Sequence, residues 1–339
     1  MSLDEFLSEW NSPSSFVHVQ TSGSTGAPKP MLVEKSRMLA SARCTNDFLG
    51  LQSGDTALLC MSLDYIAGKM MVVRALERGL KLITIAPSGH PLAQANSPLS
   101  FAAMVPLQVY NSLQVPEEKD RLKSIRHLII GGGAIDDALA AELKSFPHAV
   151  WSTYGMTETL SHIALRRLSG PEASDWYTPL SSVTVSLSEE GTLVVNAPAV
   201  CATSLITNDI AELSSVNCQL STVNCKLSTI NSPSFRILGR KDNTICSGGL
   251  KIQAEELERQ LRPHLSDPFL ITKRPDPKFG EIVVLLTEGT TDNARQACEH
   301  VLPRFHQPRA YLHVARIPFT ETGKPARHEA ETLAKENSM

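Results

Sequence analysis

The sequence predicts an α/β protein with a large amino-terminal domain, residues 1–238, and a small α+β domain, residues 239–339. Through about residue 176, short apolar segments alternate with amphipathic ones, a pattern typical of βαβ units with parallel strands. From Tyr177 onward, β-hairpin signals are added to this domain. After LGRKDN the composition becomes charged, and helix and strand patterns alternate again.

Composition places the chain among ordinary globular proteins and excludes several classes. Hydrophobic residues make up 42%, charged residues 20%, and the net charge is −3, which gives no reason to expect nucleic acid or an anionic membrane as partner. No apolar run approaches the ~20 residues of a membrane span, and the opening MSLDEFLSEW does not resemble a signal peptide. The seven cysteines lack CxxC pairs, so we expect no disulfide framework, no zinc site and a cytoplasmic location.

The individual elements follow from hydrophobic spacing and glycine stops. In the large domain the strands are predicted at 15–20, 55–61, 80–86, 126–130 and 149–155, and the helices at 31–50, 67–79 and 136–146. A hairpin is predicted over 182–197, with Glu190-Gly191 at its turn, followed by strands at 204–213 and 234–240. The small domain has predicted helices at 253–263 and 291–302 and strands at 281–288 and 310–317.

Three polar or glycine-rich turns follow predicted strands: TSGSTG, GGGA and STYGMTET. In parallel sheets such turns at the carboxyl ends of strands form the ligand site. The first continues as TSGSTGAPKP, whose glycines, hydroxyls and lysine are the parts of a phosphate cradle, although its spacing is not that of a Walker loop. A flexible surface loop is the alternative, and the shared placement of the three turns favours a nucleotide site.

A seven-residue near-repeat runs from Ser214 to Ser234 as SSVNCQL, STVNCKL and STINSPS. Its β-branched residues do not suit a coiled coil, and only two of the three units carry cysteine, which does not suit a metal site. We therefore predict a solvent-exposed hairpin extension without chemistry.

Five segments in a fixed order carry a family resemblance: TSGSTGAPKP, STYGMTET, TNDIAEL, GRKDNTICSGGLKIQAEELE and PFTETGKPAR. They resemble the adenylate-forming, or AMP-binding, superfamily of acyl- and aryl-CoA synthetases. The resemblance implies a mobile carboxy-terminal cap domain and the cofactors ATP, Mg²⁺ and coenzyme A. It also implies two half-reactions, in which a carboxylate attacks the α-phosphate of ATP and a thiol then displaces AMP from the acyl-adenylate.

The resemblance assigns roles to residues of the large domain. Thr157 corresponds to the residue that contacts the α-phosphate, and Glu158 to the Mg²⁺ ligand, a hard cation that prefers oxygen. The loop that holds the β- and γ-phosphates corresponds to Thr21, Ser22, Gly23, Ser24, Thr25, Gly26 and Lys29. The residues that flank the nucleotide correspond to Gly131, Gly132, Gly133, Ala134, Ser152, Thr153, Tyr154, Gly155 and Met156.

Further roles fall on the later motifs. Asp209 and Arg240 correspond to ribose-binding residues, although Asn208 stands where relatives usually have glycine. Asp242 corresponds to the hinge and Gly249 to the loop that faces the thiol tunnel. Lys324 corresponds to the lysine that bridges the ribose and the attacking carboxylate, a role that suits a movable point charge.

Two features depart from the family pattern. Relatives carry a hundred or more residues before the phosphate loop and this chain has twenty, so we expect a truncated first subdomain and regard a homodimer as one way to cover the exposed sheet. In SLDYIAG, Tyr65 occupies the place of a histidine found in relatives, whose gating role is therefore not transferred.

The segments MVPLQVYNSL and GKMMVVRALERGLKL look like the o-succinylbenzoate–CoA ligases of menaquinone biosynthesis. That substrate has a second carboxylate, and a buried anion needs a cationic partner. Lys69 and Arg74 are the candidates, with a solvated helix face as the alternative for each. Two other functions remain open: adenylation of another aryl or fatty acid, and a non-catalytic nucleotide-binding protein.

Overall fold

The computed structural model describes residues 1–20, 30–95, 98–133, 135–214, 232–319 and 325–337. The helices in these ranges are α1 Leu3–Trp10, α2 Lys35–Leu49, α3 Ile66–Arg78, α4 Pro106–Leu113, α5 Pro116–Ser124, α6 Asp137–Leu143, α7 Ala254–Leu261, α8 Thr291–Val301 and α9 Arg327–Glu336. None of these helices combines the length and apolarity that a bilayer crossing requires.

The strands are β1 Phe16–Gln20, β2 Pro30–Glu34, β3 Thr56–Leu59, β4 Lys81–Thr84, β5 Phe101–Met104, β6 His127–Ile130, β7 Ala149–Gly155, β8 His162–Arg167, β9 Thr178–Pro179, β10 Thr184–Leu187, β11 Thr192–Asn196, β12 Leu205–Leu213, β13 Phe235–Arg240, β14 Thr244–Ser247, β15 Leu250–Gln253, β16 Phe269–Asp276, β17 Gly280–Thr287 and β18 Ala310–His313. The chain forms two compact units. The first comprises Met1–Ser186, Val194–Leu205 and Leu213–Arg236, and the second comprises Leu187–Leu193, Ile206–Glu212 and Ile237–Met339.

The first unit is built on a seven-stranded sheet in the order β4-β3-β5-β6-β7-β8-β9. Its strands from β4 to β7 are parallel, which confirms the predicted βαβ organisation, whereas β8 and β9 are antiparallel additions. Leu58, Met104, Leu128 and Ile130 on these strands are buried in one core cluster. The carboxyl ends of β6 and β7 therefore lie side by side, where the glycine-rich and Thr157–Glu158 turns begin.

One predicted boundary was wrong. The helix predicted over 31–50 begins only at Lys35, because residues 30–34 form β2, which pairs antiparallel with β1 from Pro30 opposite Gln20 to Glu34 opposite Phe16. Met31 and Val33 fit the helical spacing of α2 equally well, so the pairing with β1 decides their conformation. The predicted end is correct: the helix ends at Leu49, and Gly50 has φ 63°, a left-handed helix cap.

The predicted hairpin and the two strands after it are confirmed. Strands β10 to β13 form a four-stranded sheet in sequence order, and Gly191 turns the β10–β11 hairpin with φ 77°. Residues 215–231 of the near-repeat lie outside the described residues. At its two ends, the backbone N–H of Ser214 donates to the carbonyl of Ser234 at 2.8 Å.

In the second unit, the residues after β13 form the predicted α+β structure. Four strands pair antiparallel in the order β15-β14-β17-β16, and β18 pairs parallel with β17 at Val284–Thr287. One apolar cluster includes Leu257 of α7 and Cys298 of α8, which pack with residues of the sheet. A second cluster includes Ala330 and Ala334 of α9. Gly248 and Gly249 turn the β14–β15 hairpin with φ 57° and 87°, values that favour glycine.

Candidate nucleotide and acid sites

The turn after β7, which carries Thr157 and Glu158, is held by hydrogen bonds of the Thr159 side chain. A 3₁₀ turn covers Thr157–Thr159, and the Thr159 hydroxyl accepts from the Met156 N–H at 3.0 Å and donates to the Ser161 carbonyl at 2.7 Å. Gly155 approaches the next strand so closely that a Cβ there would lie 2.3 Å from the Ser161 carbonyl oxygen. Glycine is therefore required at position 155 for the chain to turn back and form β8 beside β7.

The Glu158 side chain fits the proposed role of a cation ligand. It is exposed, and its carboxylate has no hydrogen-bond or ion-pair partner among the described residues; its backbone carbonyl accepts from the Cys201 thiol at 2.9 Å. The described residues contain no group of three or more acidic, histidine or cysteine side chains that could hold a metal ion. A single exposed carboxylate is the kind of oxygen ligand that Mg²⁺ takes alongside phosphate oxygens.

The glycine turn after β6 packs tightly on β7. The Gly131 N–H donates to the Met104 carbonyl at 3.1 Å. A Cβ on Gly131 would lie 2.3 Å from the Thr153 hydroxyl, and Gly132 has φ 80°. The Thr153 side chain therefore occupies the space that a Cβ on Gly131 would need, and the turn requires glycine at this position.

Beside these turns lies an aromatic cluster that sequence reasoning found only in part. The Tyr154 ring contacts the Phe235 ring edge-on at 5.1 Å, and Phe235 stacks on Tyr177 at 5.6 Å between ring centroids. The Ser152 hydroxyl and the Tyr177 hydroxyl are 2.9 Å apart. Tyr177 and Phe235 were missed because neither belongs to a turn after a strand end.

In the second unit, the structure brings together three residues predicted from two motifs, TNDIAEL and GRKDN. The Arg240 guanidinium lies 3.8 Å from the Asp209 carboxylate and 3.1 Å from that of Asp242. The Asn208 amide also donates to Asp242, at 3.4 Å. Asp209 is half-buried and Arg240 is exposed, so the cluster offers a carboxylate and a guanidinium side by side.

Arg74 on α3 is a buried cation. It is 2% exposed, its Nη2 donates to the Ser161 hydroxyl at 2.6 Å, and its Nη1 contacts the Met71 sulfur at 3.7 Å. Its Nε is buried and has no acceptor among the described residues, and no described carboxylate pairs with the guanidinium. Burial lowers the pKa of Arg74 to about 10. Because burying an unpaired charge is costly, the site favours an anion.

Lys69, the other candidate cation, already has partners. It is 3% exposed, its ammonium donates to the His18 carbonyl, and it lies 5.9 Å from the centroid of the Phe6 ring. Burial lowers its pKa, while Glu9 and Asp64 partly oppose that effect. These contacts connect α3 to α1 and β1, the elements that precede the predicted phosphate loop.

A polar chain behind Arg74 was not foreseen. The Ser161 hydroxyl is 3.4 Å from Nδ1 of His162, and Nε2 of His162 is 3.0 Å from the Thr45 hydroxyl on α2. Thr45 lies 117 positions before His162 and Arg74 lies 87 positions before Ser161, so no local motif contains the whole chain. The phosphate-loop residues Thr21, Ser22, Gly23, Ser24, Thr25, Gly26 and Lys29, together with Ala134 and Lys324, lie outside the described residues, so their assignments stay predictions.

The family profile of the AMP-binding enzymes matches residues 7–199, more than half of the chain. The chain therefore belongs to the AMP-binding enzyme family, in agreement with the resemblance read from its motifs. The family and the names of the relatives support an acid–CoA ligase.

Three proteins illustrate the similarity of this chain to other members of the family in sequence and in fold. A Bacillus cereus protein named 2-succinylbenzoate–CoA ligase is 25% identical and covers 94% of this chain and 70% of its own length. An acyl-CoA synthetase (AMP-forming)/AMP-acid ligase II-like protein from Dyadobacter fermentans is 29% identical, with a TM-score of 0.64 over 98% of this chain and 92% of its own. The o-succinylbenzoate coenzyme A synthetase from Bacillus subtilis, in complex with ATP and magnesium ion, shares the fold at 20% identity and a TM-score of 0.73, covering 92% of this chain and 69% of its own.

Proposed function

We propose that this protein converts 2-succinylbenzoate to its acyl-adenylate with ATP and then transfers the acyl group to coenzyme A. The observation that carries the substrate assignment is the buried Arg74, which has no carboxylate partner among the described residues. A dicarboxylic acid can present one carboxylate to ATP and the other to Arg74. The names of the curated relatives support the same substrate.

In the first half-reaction, a substrate carboxylate attacks the α-phosphate and pyrophosphate leaves. Such transfers depend on positioning and charge neutralisation. We assign Thr157 to the α-phosphate and Lys29 with its loop to the β- and γ-phosphates. Glu158 would hold Mg²⁺, which neutralises phosphate charge when bound. Asp209 is proposed to accept from the ribose hydroxyls, and Arg240, 3.8 Å away, to orient that carboxylate.

In the second half-reaction, the thiol of coenzyme A attacks the acyl carbon, and AMP leaves with the electrons of the broken acyl–phosphate bond. We propose that residues 1–238 and 239–339 act as two domains, with Asp242 at the hinge and Gly249 on the loop that faces the thiol. Gly249 has φ 87° and no heavy atom within 4 Å of the position of a Cβ, so it leaves an open backbone surface.

An ATP–pyrophosphate exchange assay against a panel of acids tests this proposal. The panel contains 2-succinylbenzoate, benzoate, a monoester of 2-succinylbenzoate at the distal carboxylate, and a medium-chain fatty acid. Exchange that is fastest with 2-succinylbenzoate, followed by CoA-thioester formation, supports the assignment. Preference for a monocarboxylic acid would overturn the substrate while leaving the ligase class intact, and absence of exchange with any acid would favour a nucleotide-binding protein without catalysis.

A further inference from the structure

All hydrogen bonds along the polar chain from Arg74 to α2 can form at once when donation runs in one direction. The Thr45 hydroxyl donates to the carbonyl of Ser41 at 3.2 Å, so its oxygen is left to accept from Nε2 of His162 at 3.0 Å. In that arrangement the imidazole carries its proton on Nε2, and Nδ1 has a free lone pair. The Ser161 hydroxyl can then donate to Nδ1, at 3.4 Å, and accept from Arg74, at 2.6 Å.

The surroundings of His162 keep the ring neutral. The residue is 7% exposed, and both burial and the nearby Arg74 charge hold the pKa of His162 well below its usual range. From α3 it faces the Arg74 guanidinium, from α2 the Thr45 hydroxyl, and the Cys44 thiol lines the same small cavity. No described carboxylate contributes to this environment.

We propose that His162 is a positioning residue for the acid substrate: its Nε2–H tautomer turns the Ser161 oxygen lone pair toward Arg74 and thereby fixes the guanidinium for the distal carboxylate. This inference rests on the proposed function, in which Arg74 binds that carboxylate. Arginine has many rotamers, and Ser161 is its one oxygen partner among the described side chains. If the ring carried its proton on Nδ1 instead, the Ser161 oxygen would face two donors, and its own hydrogen would point elsewhere.

Two amide substitutions at His162 distinguish the hydrogen-bonding roles of the two ring nitrogens. His162→Asn places an amide oxygen near Nδ1 and can still accept from Ser161, whereas His162→Gln places an amide NH₂ near Nε2 and can still donate to Thr45. Both remove the ring from the same pocket, so a loss of packing affects both. We expect His162→Gln and Ser161→Ala to raise the KM for 2-succinylbenzoate roughly tenfold or more, since each removes a bond that orients a charged donor. The KM for ATP should change less than threefold, which is about 0.6 kcal/mol.

The expected pattern is that His162→Asn keeps the KM for 2-succinylbenzoate within about threefold of the unsubstituted protein, while His162→Gln does not. Equal effects of the two amides, or equal changes in the KM for ATP and for the acid, would overturn the positioning role in favour of a packing role. Thermal unfolding of each variant identifies any that is not folded.

A spectroscopic measurement on the unsubstituted protein tests the tautomer without any mutation of the site. With ¹³C,¹⁵N-labelled histidine, and with His162→Asn to assign the signal, we expect a neutral Nε2–H ring from pH 6 to 8. An Nδ1–H ring or a titration in that range would overturn the inference. Arg74→Ala distinguishes the two proposals: if it leaves the KM for 2-succinylbenzoate unchanged, the proposed function fails, and if it raises the KM while His162→Gln does not, only the role of His162 fails.

Discussion

At the level of single residues, the comparison of Arg74 with Arg78 on α3 distinguishes a proposed substrate-binding cation from a structural one. Arg78 lies one turn further along α3 and pairs with Asp47 at 2.5 Å and with Glu77 at 3.3 Å, whereas Arg74 is buried with only Ser161 and Met71 as described polar partners. Both residues interrupt an apolar helix pattern in the sequence, so the pattern alone could not rank them. Burial and the absence of a described carboxylate partner make Arg74 the better candidate for binding a substrate carboxylate.

We predict that Arg74→Ala lowers kcat/KM for 2-succinylbenzoate by a factor that corresponds to about 2–5 kcal/mol, because the distal carboxylate loses its cationic partner at a buried position. For benzoate-like acids that lack this carboxylate the loss should be much smaller, and the affinity for ATP should hardly change. ATP–pyrophosphate exchange measures both quantities. Arg78→Ala is the matched control, an arginine removed from the same helix, and should not change the preference between acids. An equal loss for all acids after Arg74→Ala would contradict the assignment.

Gly155 is a second residue whose role follows from geometry. We predict that Gly155→Ala destabilises the protein by about 1–3 kcal/mol, because overpacking on backbone atoms forces the turn to move; a Cβ would lie 2.3 Å from the Ser161 carbonyl oxygen. The displaced turn carries Thr157 and Glu158, so pyrophosphate exchange should also fall. Urea unfolding gives the stability change.

Gly133→Ala is the control for the stability measurement, since a Cβ there would approach only Pro106, at an ordinary 3.4 Å. Equal destabilisation by the two substitutions would contradict the packing argument for Gly155.

At the level of elements, sequence patterns located most helices and strands but not their pairings. Residues 30–34 have a spacing that continues into α2, and only the partner strand β1 makes them a strand. The Thr157–Glu158 turn could be found because its residues are contiguous. The contact between Thr45 and His162 joins positions 117 apart in the sequence, and no local pattern reports such a contact. Tyr177 and Phe235 were missed for the same reason.

The near-repeat gives a prediction about an element. We expect that replacing residues 215–231 by Asn-Gly leaves the melting temperature within a few degrees and pyrophosphate exchange within a few-fold. The ends of the segment already meet, with Ser214 bonded to Ser234 at 2.8 Å, so a short turn can close them. Shortening a loop from 17 residues to two changes the closure free energy by only about 2 kcal/mol, and in the favourable direction. Calorimetry and the exchange assay provide the measurements, and loss of folded protein would indicate that the segment belongs to a core or to an oligomer interface.

At the level of the whole molecule, the proposed chemistry draws on residues of both compact units. The first unit carries Thr157, Glu158 and Arg74, and the second carries Asp209, Arg240 and Asp242. A ligase with two half-reactions needs different groups at each step, since the first step transfers to phosphate and the second to a thiol. Substituting a residue of the second unit that acts in only one step should therefore slow that step and leave the rate of the other step unchanged.

Lys324 provides that test. We predict that Lys324→Ala slows adenylate formation on the order of 10²- to 10³-fold, as expected for loss of a single group that stabilises developing charge. Thioester formation from supplied acyl-adenylate should survive within a few-fold, because the lysine is expected to reach the substrate only in the adenylating orientation. Pyrophosphate exchange measures the first step, and release of AMP from synthetic 2-succinylbenzoyl-adenylate in the presence of coenzyme A measures the second. Lys335→Ala removes a half-exposed lysine of α9 that pairs with Glu331 at 3.7 Å, and should change neither step. Equal loss of both steps in Lys324→Ala would argue that the cap domain does not alternate between two orientations in this protein.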